Sequence, residues 1–323
     1  MDLHPASGLF SVFRRHKKGG DRLQLFKENK PFFKGNLHCH TTLSDGVLSP
    51  EKVTALYRDM GYDFLAITDH RKLSPPTHTE DGLLLLTGVE LDYTLSGEVL
   101  HLLGIGMRPE YADALPNFRR SPQHAIDDIR THGGMAIVAH PAWSLNTLAT
   151  LSSLQGVTAA EIYNSISTFP WNGDRADSSG ILDVCLAHQT PFRFVASDDS
   201  HFYNGEAGRS YTMVQADELN DQAILAALAA GRSYASQGPR FEQLSIENGI
   251  LTVQCSPVET IIFYSNLVWV DQRCRTAPGQ TSASYDLTAD SGETFVRCQI
   301  IDAGGNSAWS NPILCENFRK GAF

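Results

Sequence analysis

Short apolar runs alternate with helix-like stretches between Phe33 and His201. The apolar runs have the length of single β-strands, and amphipathic spacing fills several of the gaps between them. Alternation of this kind indicates a parallel sheet with helices, most simply closed into a barrel. The sequence therefore predicts an α/β fold, most simply a seven-stranded β/α (TIM-like) barrel. Its strands are expected at residues 35–41, 64–70, 83–92, 98–105, 135–140, 159–164 and 192–199.

Helix starts are marked by a serine followed by a proline. Ser49-Pro50 and Ser121-Pro122 each place a capping hydroxyl before a proline at the first helical position. Gly133-Gly134 ends the second of these helices. Two more helices are predicted at residues 181–188 and 223–230.

The pattern changes after Gly238-Pro239, where no helical spacing follows. Asn248-Gly249 between apolar residues predicts a hairpin with a type I′ turn. Further strands are expected at residues 260–264, 282–287 and 295–302. We predict an N-terminal extension (1–32), a barrel domain (33–239) and a small antiparallel, sandwich-like β domain (240–323).

The composition is that of an ordinary globular protein, with 42% hydrophobic and 19% charged residues in a chain of 323. No apolar stretch reaches the roughly 18 residues of a membrane-spanning helix. The basic residues at 14–18 follow the first apolar stretch, whereas a secretory signal places them before it. A cytoplasmic protein without a membrane partner is expected.

The net charge of −10 disfavours a non-specific grip on long nucleic acids, which depends on basic surface. It is compatible with a small anionic substrate, because bound metal ions reverse the local charge. The six cysteines form no C-x-x-C pair, which argues against a zinc finger or a thioredoxin-like motif. In a cytoplasmic setting we expect them to be reduced and mostly part of a β core. The oligomeric state is left open.

Histidines and carboxylates mark the ends of successive predicted strands. In a β/α barrel such ends gather on one face, and residues at i and i+2 on a strand point the same way. So many imidazoles and carboxylates in one place would be costly without a compensating cation. The sequence therefore predicts a metal centre. Its candidate residues are His38, His40, His70, Glu90, His101, His140, Asp199 and His201.

Five ordered motifs resemble those of the PHP (polymerase and histidinol phosphatase) family over about residues 33–240. They are the stretches at 36–46 (NLHCHTTLSDG), 67–70 (ITDH), 88–90 (GVE), 140–141 (HP) and 197–201 (SDDSH). Residues 234–239 and 308–313 are similar to downstream features of the family's carbaryl-hydrolase-like branch. The resemblance implies a distorted seven-stranded β/α barrel.

The resemblance also implies three metal sites. One would use His38, His40, Glu90 and Asp199; the second would share Glu90 and add His101 and His140; the third would use Asp45, His70 and His201. Asp45 stands where many family members carry a histidine, which leaves occupancy by two or by three divalent ions open. Imidazole and carboxylate ligands suit zinc, manganese or iron alike.

Such a cluster suits hydrolysis, because neighbouring ions can share a water and lower its pKa toward roughly 7. In this hypothesis Asp199 orients the resulting hydroxide while remaining a ligand, and His201 or the third metal assists the leaving oxygen. Asp69 and Asp198 are candidates for supporting the imidazoles or for plain structural roles. Substrate contacts are expected from Arg71, Glu161, Tyr163 and Arg209.

The leading prediction is a phosphoesterase acting on a small phosphoester. Alternatives are hydrolysis of a carbamate, ester or amide, a 5′-to-3′ exonuclease on short oligonucleotides, and a non-catalytic metal- or carbohydrate-binding protein. Phosphate specificity requires basic residues near the metals, and Arg71, Lys72 and Arg209 are the candidates. A neutral ester would prefer an apolar wall, for which the candidates are Trp143, Phe169 and Trp171.

Overall fold

The computed structural model describes residues 12–13, 22–26, 30–74, 77–78, 82–271, 273–288 and 292–315. The basic residues at 14–18 lie outside this range. The helices are α1 (Pro50–Asp59), α2 (Tyr111–Ala114), α3 (Pro122–Thr131), α4 (Leu148–Ser153), α5 (Ser179–Ala187) and α6 (Asp221–Ala229), with 3-10 turns at Leu115–Arg120 and Ser165–Ser167. None of these helices is long and apolar enough to cross a membrane.

The strands are β1 (Val12–Phe13), β2 (Arg22–Gln24), β3 (Phe32–Asn36), β4 (Phe64–Ala66), β5 (Thr77–His78), β6 (Leu84–Leu86), β7 (Gly88–Leu95), β8 (Glu98–Ile105), β9 (Met135–Val138), β10 (Ala159–Asn164), β11 (Arg193–Ser197), β12 (Tyr211–Gln215), β13 (Ser233–Ser236), β14 (Phe241–Glu247), β15 (Ile250–Ser265), β16 (Cys274–Asp286), β17 (Phe295–Ile301), β18 (Ser307–Ser310) and β19 (Ile313–Cys315). All the helices lie between β3 and β13, although β4 to β8 follow one another without a helix, and from β13 onward the described elements are strands alone.

The predicted helix starts are confirmed. Both α1 and α3 begin on the proline that follows the serine at the N-cap position, but the Ser49 hydroxyl makes no capping hydrogen bond to the described residues of α1. In α3 the Ser121 hydroxyl accepts a hydrogen bond from the backbone N–H of His124 at 3.1 Å, which satisfies one of the free donors of the first turn. Ile126 and Ile129 of this helix are fully buried and pack in one core with Leu102 and Val138 of the neighbouring strands.

Two sheets surround the region where the predicted ligands meet. The first has the order β11-β10-β9-β8-β7, and the second includes β3, β4 and β6 in a longer path. Isolated parallel bridges join the two sheets, one between Cys39 and Ser200 and the other between His70 and Glu90. We call the part of the chain from β3 to β13, which contains all the helices, the α/β half. The bridges hold the ends of its strands together on one side.

The expectation of a closed, seven-stranded TIM-like barrel needs correction. Within the described ranges the strands form two mixed sheets instead of one continuously bonded barrel. β7 and β8 are antiparallel, and β12 lies antiparallel to β3. The cause is the connection between β7 and β8, a two-residue turn at Ser96-Gly97, which is too short for the crossover that parallel neighbours require.

The C-terminal strands are antiparallel, as predicted, and continue the second sheet through the pairing of β13 with β18. The Asn248-Gly249 hairpin is confirmed: Glu247 pairs with Ile250, and both turn residues have positive φ, 50° and 81°. That conformation is the one a type I′ turn requires. The domain limits at residues 32 and 239 stay predictions.

Three contacts attach the C-terminal strands to the α/β half. Arg297 on β17 is buried and forms a two-pronged ion pair with Asp183 on α5, both distances being 2.6 Å. The Trp309 ring stacks on Tyr163 of β10 with ring centroids 5.5 Å apart. The backbone N–H of Phe194 on β11 donates to the Asn311 side chain at 2.7 Å.

All six cysteines are free thiols, in agreement with the expectation of reduced cysteines. Cys255, Cys298 and Cys315 are buried in the C-terminal strands, whereas Cys274 is exposed on β16. The remaining two, Cys39 and Cys185, are buried in the α/β half.

Candidate metal centre

Six of the predicted ligands lie in the short segments that follow the strands, two or four residues beyond the strand ends: His38, His40, His70, His140, Asp199 and His201. Glu90 and His101 lie within β7 and β8, and Asp45 lies further along the segment after β3. β3 ends at Asn36, and the next residues are held by backbone hydrogen bonds to the segment after β11. The N–H of Asp199 donates to the carbonyl of His38 at 2.9 Å, and the N–H of His40 donates to the carbonyl of Ser200 at 2.9 Å. These two bonds place the His38/His40 pair directly beside Asp199.

Two ligand-type residues have left-handed backbone conformations. His140 has φ 32° and Asp199 has φ 55°. Residues with a side chain rarely adopt this region, and its occurrence is concentrated at functional sites. In both cases the chain turns immediately after a strand and directs the side chain toward the centre.

The nine predicted ligands are brought together in four overlapping groups. Within each group the candidate ligand atoms lie no more than 4.8 Å apart. The groups are His38, His40 and Glu90; His38, His140 and Asp199; Glu90, His101 and His140; and His40, Asp45, His70 and His201. The second implied site matches the group of Glu90, His101 and His140, and the third matches the last group with His40 added. The residues of the first implied site are divided between the two groups that share His38, and their binding of metal stays a prediction.

Glu90 is the residue around which the groups are arranged. One carboxylate oxygen, Oε1, lies 2.8 Å from Nδ1 of His101 and 3.5 Å from Nε2 of His140. The other, Oε2, lies between 3.1 and 3.4 Å from a ring nitrogen of three imidazoles, those of His38, His40 and His70. Glu90 is 1% exposed, so each oxygen faces ligand atoms instead of water.

Unpaired buried atoms show that the donor set fits divalent cations. Asp199 Oδ1 lies 3.1 Å from Nε2 of both His38 and His40, yet it is buried and has no hydrogen-bond partner among the described residues. The Nδ1 atom of His70 is likewise buried without a hydrogen bond from the described part of the chain. Buried polar atoms are rarely left this way. Carboxylate oxygens and imidazole nitrogens whose lone pairs point to a common centre are suited to bind a divalent ion.

The electrostatics of the centre favour positive charge. Burial by itself lowers the pKa of His38, but the nearby charges of Asp199, Glu90 and Glu161 outweigh burial and hold that pKa well above its ordinary value. Burial likewise raises the pKa of Glu90, but the surrounding imidazoles, His38 first, bring it well below its usual range. The carboxylates thus stay ionised and attract a cation.

Several polar groups behind the ligands fix the direction of the imidazoles. Glu161 Oε1 lies 3.0 Å from His38 Nδ1, and Glu161 Oε2 accepts from the backbone N–H of His140 at 2.8 Å. Asn164 donates to the same Oε2 at 2.8 Å and to Asp199 Oδ2 at 3.2 Å. The Ser144 hydroxyl lies 2.9 Å from Nδ1 of His140. Partners of this kind set the tautomer and basicity of metal-binding imidazoles.

The sequence singled out Glu161 as a substrate contact, whereas Asn164 and Ser144 were missed. The Glu161 side chain is fully buried and reaches the centre through His38. Asn164 is the last residue of a predicted strand, and Ser144 stands four residues after His140. Only these positions next to predicted ligands could have indicated that the two residues support the imidazoles.

Asp69 and Asp198 bond to the loops instead of to the imidazoles. Asp69 accepts from the backbone N–H groups of Thr41 and Ser44 and from both of their hydroxyls, at 2.6 to 3.1 Å. Asp198 accepts from Tyr57 and from the backbone of residues 208–210. Burial raises the pKa of Asp198 to about 6, although these hydrogen bonds act in the opposite direction. Both carboxylates therefore hold the ligand-bearing segments in place.

A cavity of about 410 Å³ opens onto the centre. Its described lining contains no lysine or arginine. The lining residues are Asp45, His70, Glu90, His101, His140, Trp143, Ile166, Ser167, Trp171, Asn172, Asp199, His201 and Phe202. Of the aromatic wall suggested by the sequence, Trp143 and Trp171 are present, whereas Phe169 is 68% exposed and lies outside the lining.

The other predicted substrate contacts lie around the cavity without lining it. Arg71 forms an ion pair with Asp92. Tyr163 is half-buried against Trp309. Arg209 places its guanidinium 4.7 Å from the centre of the Trp171 ring, so it reaches the cavity through an aromatic residue. Their contact with substrate stays a prediction.

Comparisons with known proteins agree with this fold. No family model matches the chain. A two-domain protein of Bacteroides vulgatus containing a predicted PHP-like metal-dependent phosphoesterase shares the fold, with a TM-score of 0.51 and 18% identity, covering 89% of this chain and 96% of that one.

Two curated relatives match parts of the sequence. A 5′-3′ exoribonuclease of Haemophilus influenzae is 36% identical over 77 residues, 22% of this chain. The match spans only 28% of that enzyme's length. An uncharacterised protein of Methanocaldococcus jannaschii is 28% identical over 124 residues, covering 33% of this chain and 67% of that protein.

Proposed function

We propose that the protein is a PHP-type metal-dependent hydrolase that cleaves a small phosphoester. The observation that carries this proposal is the position of Glu90, whose two buried oxygens each face imidazoles of different ligand groups. A carboxylate in that position can bridge neighbouring cations, and bridged cations are the arrangement that phosphoester hydrolysis uses. The PHP-like phosphoesterase fold of the Bacteroides vulgatus protein supports the same reaction class.

The chain's own residues would hold two or three ions of zinc, manganese or iron. When bound, such ions activate water and stabilise negative charge on the attacked group. His38, His40, Glu90 and Asp199 form the buried part of the centre, and each is at most 4% exposed. Asp45, His70 and His201 form its open side, with side-chain exposures of 51%, 26% and 19%. The reacting phosphoryl group would therefore enter from the Asp45 side.

The remaining roles follow from hydrogen bonding. Asp199 Oδ1 is buried, ionised and unpaired within the described structure, which suits it to orient an attacking water. The imidazole of His201 faces the cavity, and the carbonyl of Asp199 lies 2.8 Å from its Nδ1. This contact fixes Nδ1 as a protonated nitrogen and directs Nε2 to the open side. There Nε2 would hold the third ion or, with only two ions bound, carry a second proton for the leaving oxygen.

A second candidate is 5′-to-3′ removal of nucleotides from short oligonucleotides. The observation favouring it is the 36% identity to the Haemophilus influenzae exoribonuclease over 77 residues. Both candidates use the same centre and differ in what occupies the rest of the cavity. The carbamate, ester or amide alternative of the carbaryl-hydrolase-like branch is favoured by Trp143 and Trp171 in the lining.

A substrate panel with a metal-ligand variant tests the proposal. Purified protein loaded with zinc, manganese or iron should hydrolyse phosphomonoesters, and His38→Ala/His40→Ala should lose both metal content and turnover. His124→Ala is the matched control, because His124 lies on α3 outside the described ligand groups. Activity confined to 5′-phosphorylated oligonucleotides would establish the second candidate. Turnover of carbamates or aryl esters alone, or full phosphoesterase activity in the double variant, would refute the proposal.

A further inference from the structure

We infer that the cavity contains a stacking subsite for an aromatic ring on the substrate, formed by Trp171 and Phe202 beside the metal-ligand cluster. This inference rests on the proposed function, because it assigns the group that accompanies the reacting phosphoryl. Both side chains line the cavity that also contains His70, Asp199 and His201. A ligand whose reacting atoms lie at the cluster can therefore place another of its groups against these two rings.

Phe202 is exposed although it is a large apolar residue. Its exposure is 56%, and it directly follows the ligand-type residue His201, with ring centroids 6.2 Å apart. An exposed phenyl ring gains nothing from folding through burial of its surface. In a cavity wall, such a ring is available to cover an apolar face of a ligand.

The backbone around Phe202 is held by a buried carboxylate. Glu206 is fully buried, and its oxygens accept hydrogen bonds from four consecutive backbone N–H groups, those of residues 201–204, at 2.5 to 3.2 Å. The Tyr203 hydroxyl donates to the carbonyl of His40 at 2.5 Å, which attaches the same turn to the metal-ligand segment. The exposed ring is therefore carried by a rigid turn, which lowers the entropy lost on stacking.

Trp171 has a comparable support. The Arg209 guanidinium lies 4.7 Å from the centre of its ring and is itself held by a hydrogen bond from its Nε to the carbonyl of Gly205. A side chain added at Gly205 would lie 3.9 Å from Cζ2 of Trp171, so the indole adjoins the turn that carries Phe202. A cation on one face of an indole fixes the ring by a cation–π interaction and leaves the other face for a ligand. Arg209 is absent from the described lining of the cavity, to which Trp171 belongs.

The charges of the wall favour a neutral ring over a second anionic group. The described lining contains no lysine or arginine, and the net charge of the chain is −10. Ser167 and Asn172 supply hydrogen-bonding groups beside the rings. A planar aromatic group with polar edges fits this wall. Two sources offer that chemistry: an aryl ring next to the phosphorus, or a nucleobase separated from it by a sugar.

Binding of matched ligand pairs to the metal-loaded protein tests the inference. Isothermal titration compares phenylphosphonate with ethylphosphonate, and the non-hydrolysable methylene-phosphonate analogue of adenosine 5′-monophosphate with that of ribose 5-phosphate. In at least one pair, the member with the ring should bind at least about fivefold more tightly than the member without it. That ratio corresponds to the lower end of the free energy of one stacking contact between a base and an aromatic side chain. Trp171→Ala and Phe202→Ala should each reduce that preference while leaving the affinity of the ring-free member unchanged.

Controls separate the subsite from the proposed reaction. Trp269→Ala removes a tryptophan that is 84% exposed and absent from the described lining, and should change neither preference. If no phosphorus ligand binds, benzohydroxamate is compared with acetohydroxamate, since both chelate metals without phosphorus. A Trp171-dependent preference for benzohydroxamate would then support the subsite and refute the phosphoesterase proposal. Equal affinity within every pair, or loss of ring-free binding in Trp171→Ala, would overturn the inference.

Discussion

Glu161 Oε1 lies 3.0 Å from Nδ1 of His38, although 123 positions separate the two residues in the sequence. Both side chains are fully buried. Because an ionised carboxylate can only accept, Nδ1 of His38 carries the proton, and Nε2 presents its lone pair to the ligand cluster. Glu161 therefore determines which nitrogen of His38 is available to a cation.

Replacement of Glu161 by glutamine should weaken metal binding without removing a ligand. An amide can leave its NH₂ group facing the imidazole, so the tautomer is no longer fixed and the ligand is less basic. We expect metal affinity to fall about 10- to 100-fold, measured by competition with a chelator of known affinity. Glu247→Gln, at an exposed position of β14, is the control. Unchanged affinity in Glu161→Gln would show that Glu161 has no part in orienting His38.

The sequence predicted the ligand set because its signal was strong and local. His38/His40 and Asp199/His201 each occur two residues apart next to an apolar run, and the structure brings both pairs to the same cluster. The serines at the N-cap positions of α1 and α3 were equally direct signals. In each case the chemistry of a few neighbouring residues determined the local structure.

The arrangement of strands and the role of Glu161 depended on details that an apolar pattern does not contain. β10 pairs with β11 through a register shift between Glu161 and Tyr163. A bulge changes the direction of the side chains that follow it. Glu161 therefore lies behind His38, while Tyr163 packs against Trp309, although simple alternation would point both the same way. The two-residue turn between β7 and β8 makes these strands antiparallel, whereas the predicted barrel required parallel neighbours.

Replacement of Asp45 should remove one ion and leave the others. Asp45 Oδ2 lies 3.5 Å from Nε2 of His201 and 3.6 Å from Nε2 of His70, and its side chain is 51% exposed. Asp45→Ala is expected to lower the number of bound ions by one in elemental analysis, while the ions held by the buried ligands stay bound. Asp45→His keeps a ligand there and should retain the ion. Equal metal content in all three proteins would contradict a site at Asp45.

The stabilisation by metal should increase with pH. Burial lowers the pKa of His38, but the charges of Asp199 and Glu90 outweigh it and raise the pKa well above normal. A raised folded-state pKa means that protonated His38 stabilises the metal-free fold below about pH 6.5, and that this contribution is lost as pH rises through the raised value. A bound cation replaces the proton. Calorimetry with and without metal should show a Tm difference that grows with pH; a constant or shrinking difference would contradict this assignment.

One cysteine should react with thiol reagents in the folded protein. Cys274 is exposed, whereas the other five are buried. Burial also raises the pKa of Cys185 to about 12 and that of Cys255 to about 11, which lowers their thiolate fraction. A chromogenic disulfide should therefore titrate one thiol rapidly in native protein and six after denaturation. Cys274→Ser should abolish the rapid phase; a rapid phase that persists would show that a buried thiol becomes accessible.

Removal of residues 240–323 should prevent the remaining fragment from folding cooperatively. The deletion leaves β13 without its partner β18 and takes away Asn311, which accepts the N–H of Phe194 and donates to the carbonyl of Ser233 at 2.8 Å. It also uncovers Tyr163 on β10, where Trp309 stacks. β11 leads into the segment that carries Asp199 and His201, and β10 carries Glu161 behind His38, so loss of these contacts should reach the metal centre.

Trp309→Ala in the full chain isolates one of these contacts. Trp309 is 1% exposed, and its truncation should lower the free energy of unfolding by about 3–5 kcal/mol, measured by urea denaturation with metal content determined in parallel. Phe169→Ala is the control, because Phe169 is 68% exposed, and it should change the free energy of unfolding only slightly. A fragment ending at residue 239 that unfolds cooperatively with native metal affinity would show instead that the α/β half is an independent domain, because the ligand-bearing segments would then need no support from β18 or Asn311.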